Sequence, residues 1–448
     1  MAWQRLSGAH ALALNTETPT TPAHYVVLIV MEASDAVSHQ RLHELAGSSL
    51  PRLARFRSRL FAKPLGLGQP VWAEVADFDP SRQLHKLAVP PPGGTGEFAD
   101  IVAKLTTRPM VRHKPLWQAW SIEGLAGGRW ALALKVSRAI VGGVDGLAAI
   151  LTRLVTATAD DDPASCLPPE PGLGKSPSLA DLVADTAAEL TGNQLAGARL
   201  AGQGLPTLVR SVADRLRGGN GDAPVPRTAF NDPLSPQREV AFSELRRADI
   251  DAIADALDVS SDDVFLAACT LSLRTWLQRH AEVPEHPLAM QFLASPTPVR
   301  VRLPVQHADP AQVLRECHAG RRRETHSAIG GVAQLVPPNL LHTGMQVYTR
   351  LELSRRLRPV AHGVAATIQG PRLPVYCAGA PVAAIHAVPP LTEGAGLSIS
   401  QVLHDQAACV TVCACPDRVT GIEEIADGIV YGVTQLRAKR KKRSRRRP

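Results

Sequence analysis

No apolar stretch of this 448-residue chain approaches the ~18–20 residues that a membrane-spanning helix needs. The best apolar run, Tyr25–Met31, is rich in β-branched residues and has only the length of a strand. The opening MAWQRLSGAHALALNTETP lacks a basic start leading into a long apolar stretch, so no secretory leader is read and a cytoplasmic protein is expected. A disulfide framework is not indicated either: the seven cysteines are odd in number, and Cys166, Cys269, Cys317 and Cys377 are scattered. Cys409, Cys413 and Cys415 lie close together but lack the paired C-x-x-C spacing of a zinc site. On a strand all three would share one face, so they are read as core, with no metal. No internal repeat is present.

The body of the chain also lacks net charge. The formal total is +8, but Arg437–Pro448 holds nine Lys or Arg and no acid; without it 40 basic residues face 41 acidic ones, a net of −1. Such a run reads as a flexible, disordered arm attracted to anionic surfaces, where each basic residue near a membrane contributes about 1 kcal/mol. Arg437–Arg447 could then meet an anionic membrane or lipid-droplet surface, or stay a solvated tail with no dedicated partner. Nucleic acid is not favoured, because the body has no basic aromatic face or reading motif.

What is present is the composition of a globular α/β protein: 45% apolar and 20% charged residues, enough chain for two domains. Strands are predicted at Tyr25–Met31, Trp72–Phe78, Trp130–Val141, Val382–Val388, Gly396–Leu403 and Ala408–Cys415. Helices are predicted over Ser38–Leu53, Phe98–Leu105, Leu147–Thr158, Leu179–Arg217, Ala248–Leu257 and Pro310–His326. Another follows Ser260, where Asp263 falls in a capping-box position. Asp160–Ser178 and Gly218–Gln237 are dense in Pro, Gly, Ser and Asp and read as loops. The expected organisation is an N-terminal domain over 1–159, a linker with a helix over 160–237, a C-terminal domain over 238–436 and the basic tail over 437–448.

Six segments in chain order carry a family resemblance: RLSG with ETPTTPAH (Glu17–His24), KPLWQAW (Lys114–Trp120), Ile122–Val136, VSSDDVFLA (Val259–Ala267), GPRLPVYCAG (Gly370–Gly379), and PLTEGAGLSIS with ACPDRV. Together they resemble the bacterial wax ester synthase/diacylglycerol acyltransferase family across nearly the whole chain, apart from the tail. The resemblance implies two chloramphenicol-acetyltransferase-like halves, each a mixed sheet with flanking helices, and a tunnel between them. It also implies an acyltransferase of triacylglycerol metabolism that esterifies diacylglycerol or a long-chain alcohol from acyl-CoA, with no other cofactor. In the family the second His of a His-His-x-x-x-Asp-Gly motif takes the acceptor's proton, a task suited to a base with a pKa near 7. The motif's Asp holds the turn.

Laid on this chain, that motif falls on KVSRAIVGGVDG (Lys135–Gly146), and it is overwritten. Ser137 stands at the first His, Arg138 at the catalytic His and Gly142 at the Asp; Gly143 keeps the Gly. Asp145–Gly146 is an Asp-Gly pair in the wrong frame, left as a tentative substrate contact or substitute base beside the ordinary reading as a turn. Arg138 has no acceptor and stays charged, so it cannot remove a proton; it could stabilise an oxyanion or bind a CoA phosphate. Ser137 needs an activating base, which only a distant His such as His24, His113 or His386 could supply. Further departures are Asp262 for the Asn of an Asn-Asp pair whose Asp survives as Asp263, and Thr367 for the Asn ahead of Gly370-Pro371. Three functions follow: an acyltransferase of weak or no activity, a non-catalytic pseudoenzyme that binds acyl-CoA or neutral lipid, or an unrelated binding role centred on the basic tail.

Overall fold

A computed structural model describes residues 3–6, 8–66, 69–161, 163–166, 168–189, 191, 225–293, 298–322, 349–352, 355 and 359–444. The first half builds β1 (Gln4–Arg5), α1 (Gly8–Asn15), β2 (His24–Met31), α2 (His39–Ser49), β3 (Ser58–Phe61), β4 (Val71–Glu74), β5 (Leu84–Ala88), α3 (Thr95–Thr107), β6 (Trp117–Leu125), β7 (Arg129–Ser137), α4 (Arg138–Val141) and α5 (Val144–Leu151). The second half adds β8 (Glu239–Arg246), α6 (Arg247–Leu257), α7 (Ser261–His280), β9 (Leu288–Leu293), β10 (Val299–Leu303), α8 (Pro310–Arg322), β11 (Gly363–Gln369), β12 (Tyr376–Cys377), β13 (Ala380–Val388), β14 (Leu397–His404), β15 (Ala407–Ala414) and α9 (Ile422–Ser444).

Two six-stranded mixed sheets result, in the orders β12-β13-β2-β7-β6-β5 and β10-β9-β11-β14-β15-β8. The apolar run at Tyr25–Met31 is buried on both faces because β2 lies in mid-sheet between β13 and β7. Chain position and sheet membership part company at β12 and β13. These strands come from the last fifth of the chain yet complete the sheet of the first half, with His386 opposite Leu28 and Val388 opposite Val26. One buried cluster spans both halves, joining Val144, Leu147 and Ile150 to Val364, Ala366 and Ile368.

Several boundaries differ from expectation for local reasons. The strand through Trp130 stops at Ser137, whose hydroxyl accepts the Ala139 N–H and caps a helical turn over Arg138–Val141. The next helix covers Val144–Leu151 rather than Leu147–Thr158, because Tyr376 captures the chain at Thr156 through two backbone hydrogen bonds of 2.9 Å. The strand expected over Trp72–Phe78 is only Val71–Glu74. The tail expected to be disordered continues α9 to Ser444. Lys and Arg are good helix formers, and the packed turns of Ile422, Ile425, Ile429 and Val433 supply the nucleus they extend. Of the helix expected over Leu179–Arg217, residues 179–189 are helical and 192–217 lie outside the described residues. The short helix is tied down by fully buried Lys63, which pairs with Asp185 (2.6 Å) and Glu189. Cys409, Cys413 and Cys415 are buried thiols; burial pushes Cys409 and Cys413 up to about 12. Among the described residues no helix is long and apolar enough to cross a membrane.

In the second half α9 packs directly on α7, and glycines permit the approach. A Cβ on Gly432 would stand 3.0 Å from Ala268 backbone atoms, and one on Gly428 would overlap Ser272 Oγ. Gly432→Leu is therefore expected to lower stability by about 1–3 kcal/mol through overpacking, read as a fall in the urea midpoint. A midpoint unchanged from wild type would contradict this packing.

Candidate active-site turn

The segment that matters begins where β7 ends. Ser137 N–H donates to Leu116 O and Arg138 N–H to Ala23 O, both at 3.0 Å, so the backbone is fixed on both sides. Gly142 closes the turn at φ +73° and ψ −56°, a conformation that disfavours any side chain. A Cβ on Gly146 would overlap Val141 O, so α5 leaves the turn in close contact with α4. The turn is thus a tight, fully determined piece of backbone, packed through α5 against β11 of the other half.

The side chains are another matter. Ser137 is buried, its hydroxyl committed to the α4 cap. His24 lies opposite it in the β2–β7 register and is itself buried, but no hydrogen bond joins the two. Burial, with Lys135 nearby, holds the His24 ring well below its usual pKa, and its Nδ1 has no partner. His24 also lines a small cavity with Thr106, Arg238, Val388 and Cys413. His113 is on an exposed loop. His386 is bonded to Thr411 Oγ1 (3.2 Å) and packed on Phe242, with its pKa pressed by burial to about 4. Neither belongs to the turn.

The histidine that does reach the turn is His10, from α1, which sequence reasoning missed. A Cβ on Gly142 would overlap His10 Nε2, so the imidazole fills the space into which an Asp at 142 would project. Arg55 donates from Nη1 to Ile140 O (2.9 Å) and to His10 Nδ1 (3.4 Å). Because a guanidinium only donates, Nδ1 is the acceptor and the neutral ring carries its proton on Nε2. Burial, with Arg55 and Arg138 nearby, lowers the His10 pKa to about 4, so it is neutral at pH 7. Its lone pair is already engaged, so His10 braces the turn and is no general base. No signal in the sequence links Ala9-His10-Ala11 to a turn 130 residues away.

Arg138 is half-buried, and its Nε is sealed from solvent without a partner. The Tyr25 hydroxyl is fully buried, and the group that reaches it is the Arg138 side chain. Tyr25 faces Val136 across the strands, which puts Arg138 within diagonal reach. Burial raises the Tyr25 pKa, and the charge of the neighbouring Arg138 and its hydrogen bond to the hydroxyl oppose that rise.

The remaining sequence-named positions fall into separate places. Asp145 is exposed in the first turn of α5. Asp263 is not open to a substrate: it completes the Ser260 capping box and accepts from Arg321 Nε (2.7 Å) and His318 Nδ1 (2.8 Å). Burial would raise its pKa, but those bonds hold it down at about 2. Burial raises the pKa of Asp262, while the Thr367 hydroxyl and Arg321 counter the rise. Thr367 also accepts from Gln401 Nε2 (3.0 Å). Strand alternation turns Thr367 away from the Val364–Ala366–Ile368 row that meets α5, so Asp262 and Thr367 form a cluster on the opposite face of β11 from the turn. Gly370 and Pro371 hold the β14–β15 corner through Leu403 O and the Asp405 N–H, each at 2.8 Å.

A second polar group lies elsewhere. Ser121 Oγ meets His39 Nδ1 (2.6 Å) and His43 Nε2 (3.0 Å), and His39 Nε2 meets Glu123 (3.2 Å). The order suggests nucleophile, base and orienting acid, but Ser121 is fully buried under α2. These bonds dock a helix on a sheet.

Because His10 and a side chain at 142 compete for one space, Gly142→Asp alone is expected to lower the thermal midpoint, with about 1–2 kcal/mol from positive φ alone. Adding His10→Ala should recover part of the loss, giving a coupling above about 0.5 kcal/mol. Strict additivity of the two changes would show that they do not meet.

Comparison with known proteins agrees with this architecture. The wax ester synthase/diacylglycerol acyltransferase catalytic domain matches residues 6–265 and the C-terminal domain of the same family matches residues 297–437. A putative diacylglycerol O-acyltransferase of Mycobacterium tuberculosis is 29% identical over 464 residues, covering 97% of this chain and 90% of the relative. A probable diacylglycerol O-acyltransferase, tgs1, of the same organism is 27% identical over 431 residues, covering 88% and 87%. Among solved structures, the wax ester synthase/diacylglycerol acyltransferase of Marinobacter aquaeolei VT8 superposes with a TM-score of 0.71 at 20% identity, covering 98% of this chain and all of that one. The starter condensation domain of rhizomide synthetase, solved with C8-CoA and Leu-SNAC, has a TM-score of 0.55 at 11% identity, covering 98% and 95%, a likeness of fold. The chain belongs to the wax ester synthase/diacylglycerol acyltransferase family.

Proposed function

We propose that this protein holds a long-chain acyl-CoA and a neutral acceptor, diacylglycerol or a long-chain alcohol, in a tunnel between its halves, and transfers the acyl group weakly or not at all. The observation that carries this reading is the turn itself. A tight turn follows β7, Arg138 stands where the family resemblance puts the base, and His10 fills the space a side chain at 142 would take. A guanidinium takes no proton from a hydroxyl at any physiological pH. Loss of a general base costs ~10²–10⁴ in rate, while binding and positioning remain. Family membership supports acyl-CoA as ligand and a lipid acceptor. The basic residues from Arg437 onward would draw the protein to an anionic lipid surface.

A second reading has one observation in its favour: His24 is a buried imidazole with a free Nδ1, directly across from Ser137. It could serve as a substitute base for low residual transfer.

The decisive measurement is acyl-CoA-dependent esterification of diacylglycerol by purified protein. Wild type should run at least ~10²-fold below a variant carrying Ser137→His, Arg138→His, Gly142→Asp and His10→Ala, with both binding acyl-CoA. Wild-type turnover equal to that variant's would overturn the main reading. Residual turnover abolished by His24→Gln would establish the second; turnover indifferent to His24→Gln would eliminate it.

A further inference from the structure

The segment that leads from α3 into β6 carries charge of one sign. Between Asp100 and Glu123 the chain has four Lys or Arg and no acid: Lys104 in the last turn of α3, then Arg108, Arg112 and Lys114. Arg112 is committed to Glu17 (3.2 Å) and to Leu14 O (2.8 Å). Among the described residues no carboxylate pairs with the other three, and all three are exposed. The loop bends where the Lys114 N–H donates to Val111 O (3.0 Å), and there Val111 stands 49% exposed, near exposed Pro109. A single exposed aliphatic side chain is ordinary. One held out at a bend between unpaired cations combines the two features of an interfacial anchor, an apolar tip and a basic flank.

The loop is also tied down beside the turn. Lys135 Nζ donates to Arg108 O, Arg59 Nη1 to His113 O (3.2 Å) and the Ser137 N–H to Leu116 O (3.0 Å). Lys135 and Ser137 belong to β7, and Arg112 grips the end of α1, the helix that brings His10 to Gly142. Loop and turn are neighbouring parts of one frame.

We propose that residues 108–114 form a membrane-docking loop, with Arg108 and Lys114 on the phosphates of an anionic phospholipid surface and Val111 in the apolar layer beneath them. The inference rests on the reading above that the acceptor is a lipid. It adds the place where the protein meets the membrane that holds that lipid, beside the turn and apart from the basic tail. Such a surface satisfies both features of the loop at once. Nucleic acid would supply phosphates but leave Val111 without an apolar partner, and the loop has no Phe, Tyr or Trp on which a base could stack.

The test sediments the full-length protein with vesicles of phosphatidylcholine alone and of phosphatidylcholine with phosphatidylglycerol in equal parts. Each cation near an anionic surface is worth about fivefold in binding, so Arg108→Glu with Lys114→Glu should weaken association with the mixed vesicles at least ~10-fold. Val111→Asp should weaken it several-fold. Thermal midpoints check folding; if the charge reversal lowers the midpoint, Arg108→Gln with Lys114→Gln must still weaken binding. Because the tail would bind the same vesicles, the loop is also read locally. An environment-sensitive fluorophore on Val111→Cys should shift to shorter wavelength with mixed vesicles and not with phosphatidylcholine alone. Labelled wild type, whose described cysteines are buried, is the blank. Vesicle binding indifferent to the loop variants, or no shift at 111, overturns the proposal and leaves association to the tail. So does tighter binding to a DNA duplex than to vesicles, weakened by the same charge reversals. Acyl-CoA binding measured without vesicles should be unchanged in these variants, so failure of the loop leaves the reading above standing. Wild type that binds mixed vesicles through the loop but binds no acyl-CoA rejects that reading and keeps the loop.

Discussion

The pairing of β13 with β2 is the constraint on which the rest of the structure depends. It places a strand from residues 380–388 beside the strand that carries His24 and Tyr25, and so closes one sheet with material from both halves. Hydrogen bonds along Val26–Met31 then set the register on one side, while β7 sets it on the other. The end of β7 therefore arrives at a fixed place, and the turn at Ser137–Gly143 is built from that end. Strand pairing has a period of two, so a slip of one residue would exchange every core-facing side chain for one facing the other way. The motif turn inherits that rigidity.

A rigid frame also fixes the turn itself. Its shape is held by backbone bonds to Leu116 and Ala23, by the Gly146–Val141 contact and by Arg55 on Ile140 O, none of which involves the replaced side chains. Arg55 also supports His10, and His10 fills the volume beside Gly142. Removing an acid next to an arginine would ordinarily leave a buried charge without compensation. Here a neutral imidazole accepts from that arginine, and the carbonyl of Ile140 shares the load. Ser137, Arg138 and Gly142 are thus compatible with a well-formed turn, while a guanidinium at 138 takes no proton from a hydroxyl.

Much of this could be read from the sequence, and the limits have physical causes. Periodicity located β2, β7, β14 and β15 to within a residue or two at most ends, because a buried strand requires a dense apolar run. The Ser260 cap with Asp263 was legible because capping is a local pattern of spacing. The end of α5 was misplaced because a distant partner decides it, Tyr376 at Thr156, whereas the end of β7 was misplaced because the cap at Ser137 interrupts an apolar run that continues to Val141. His10 was not legible, since its role arises from α1 packing on α4, a contact between residues 130 apart. Asp262 and Thr367 could be picked out as departures, but only strand alternation shows that they share a face of β11 turned away from Arg138.

That separation bears on what the altered positions mean. If the whole site had simply relaxed, the polar groups around it would be expected to go unsatisfied at random. Instead Asp263 is fully bonded, Thr367 is engaged by Gln401 and approached by Asp262, and His10 is engaged by Arg55. The buried polar atoms without a partner are spread through the molecule, from Asn15 and Trp72 to Gln401 and His404, and Arg138 Nε is one of them. Burial of Arg138 is incomplete, which lowers the cost of holding a charge there. The turn therefore offers a half-buried cation and, in His10, an imidazole whose lone pair is engaged, and neither group takes a proton from a hydroxyl.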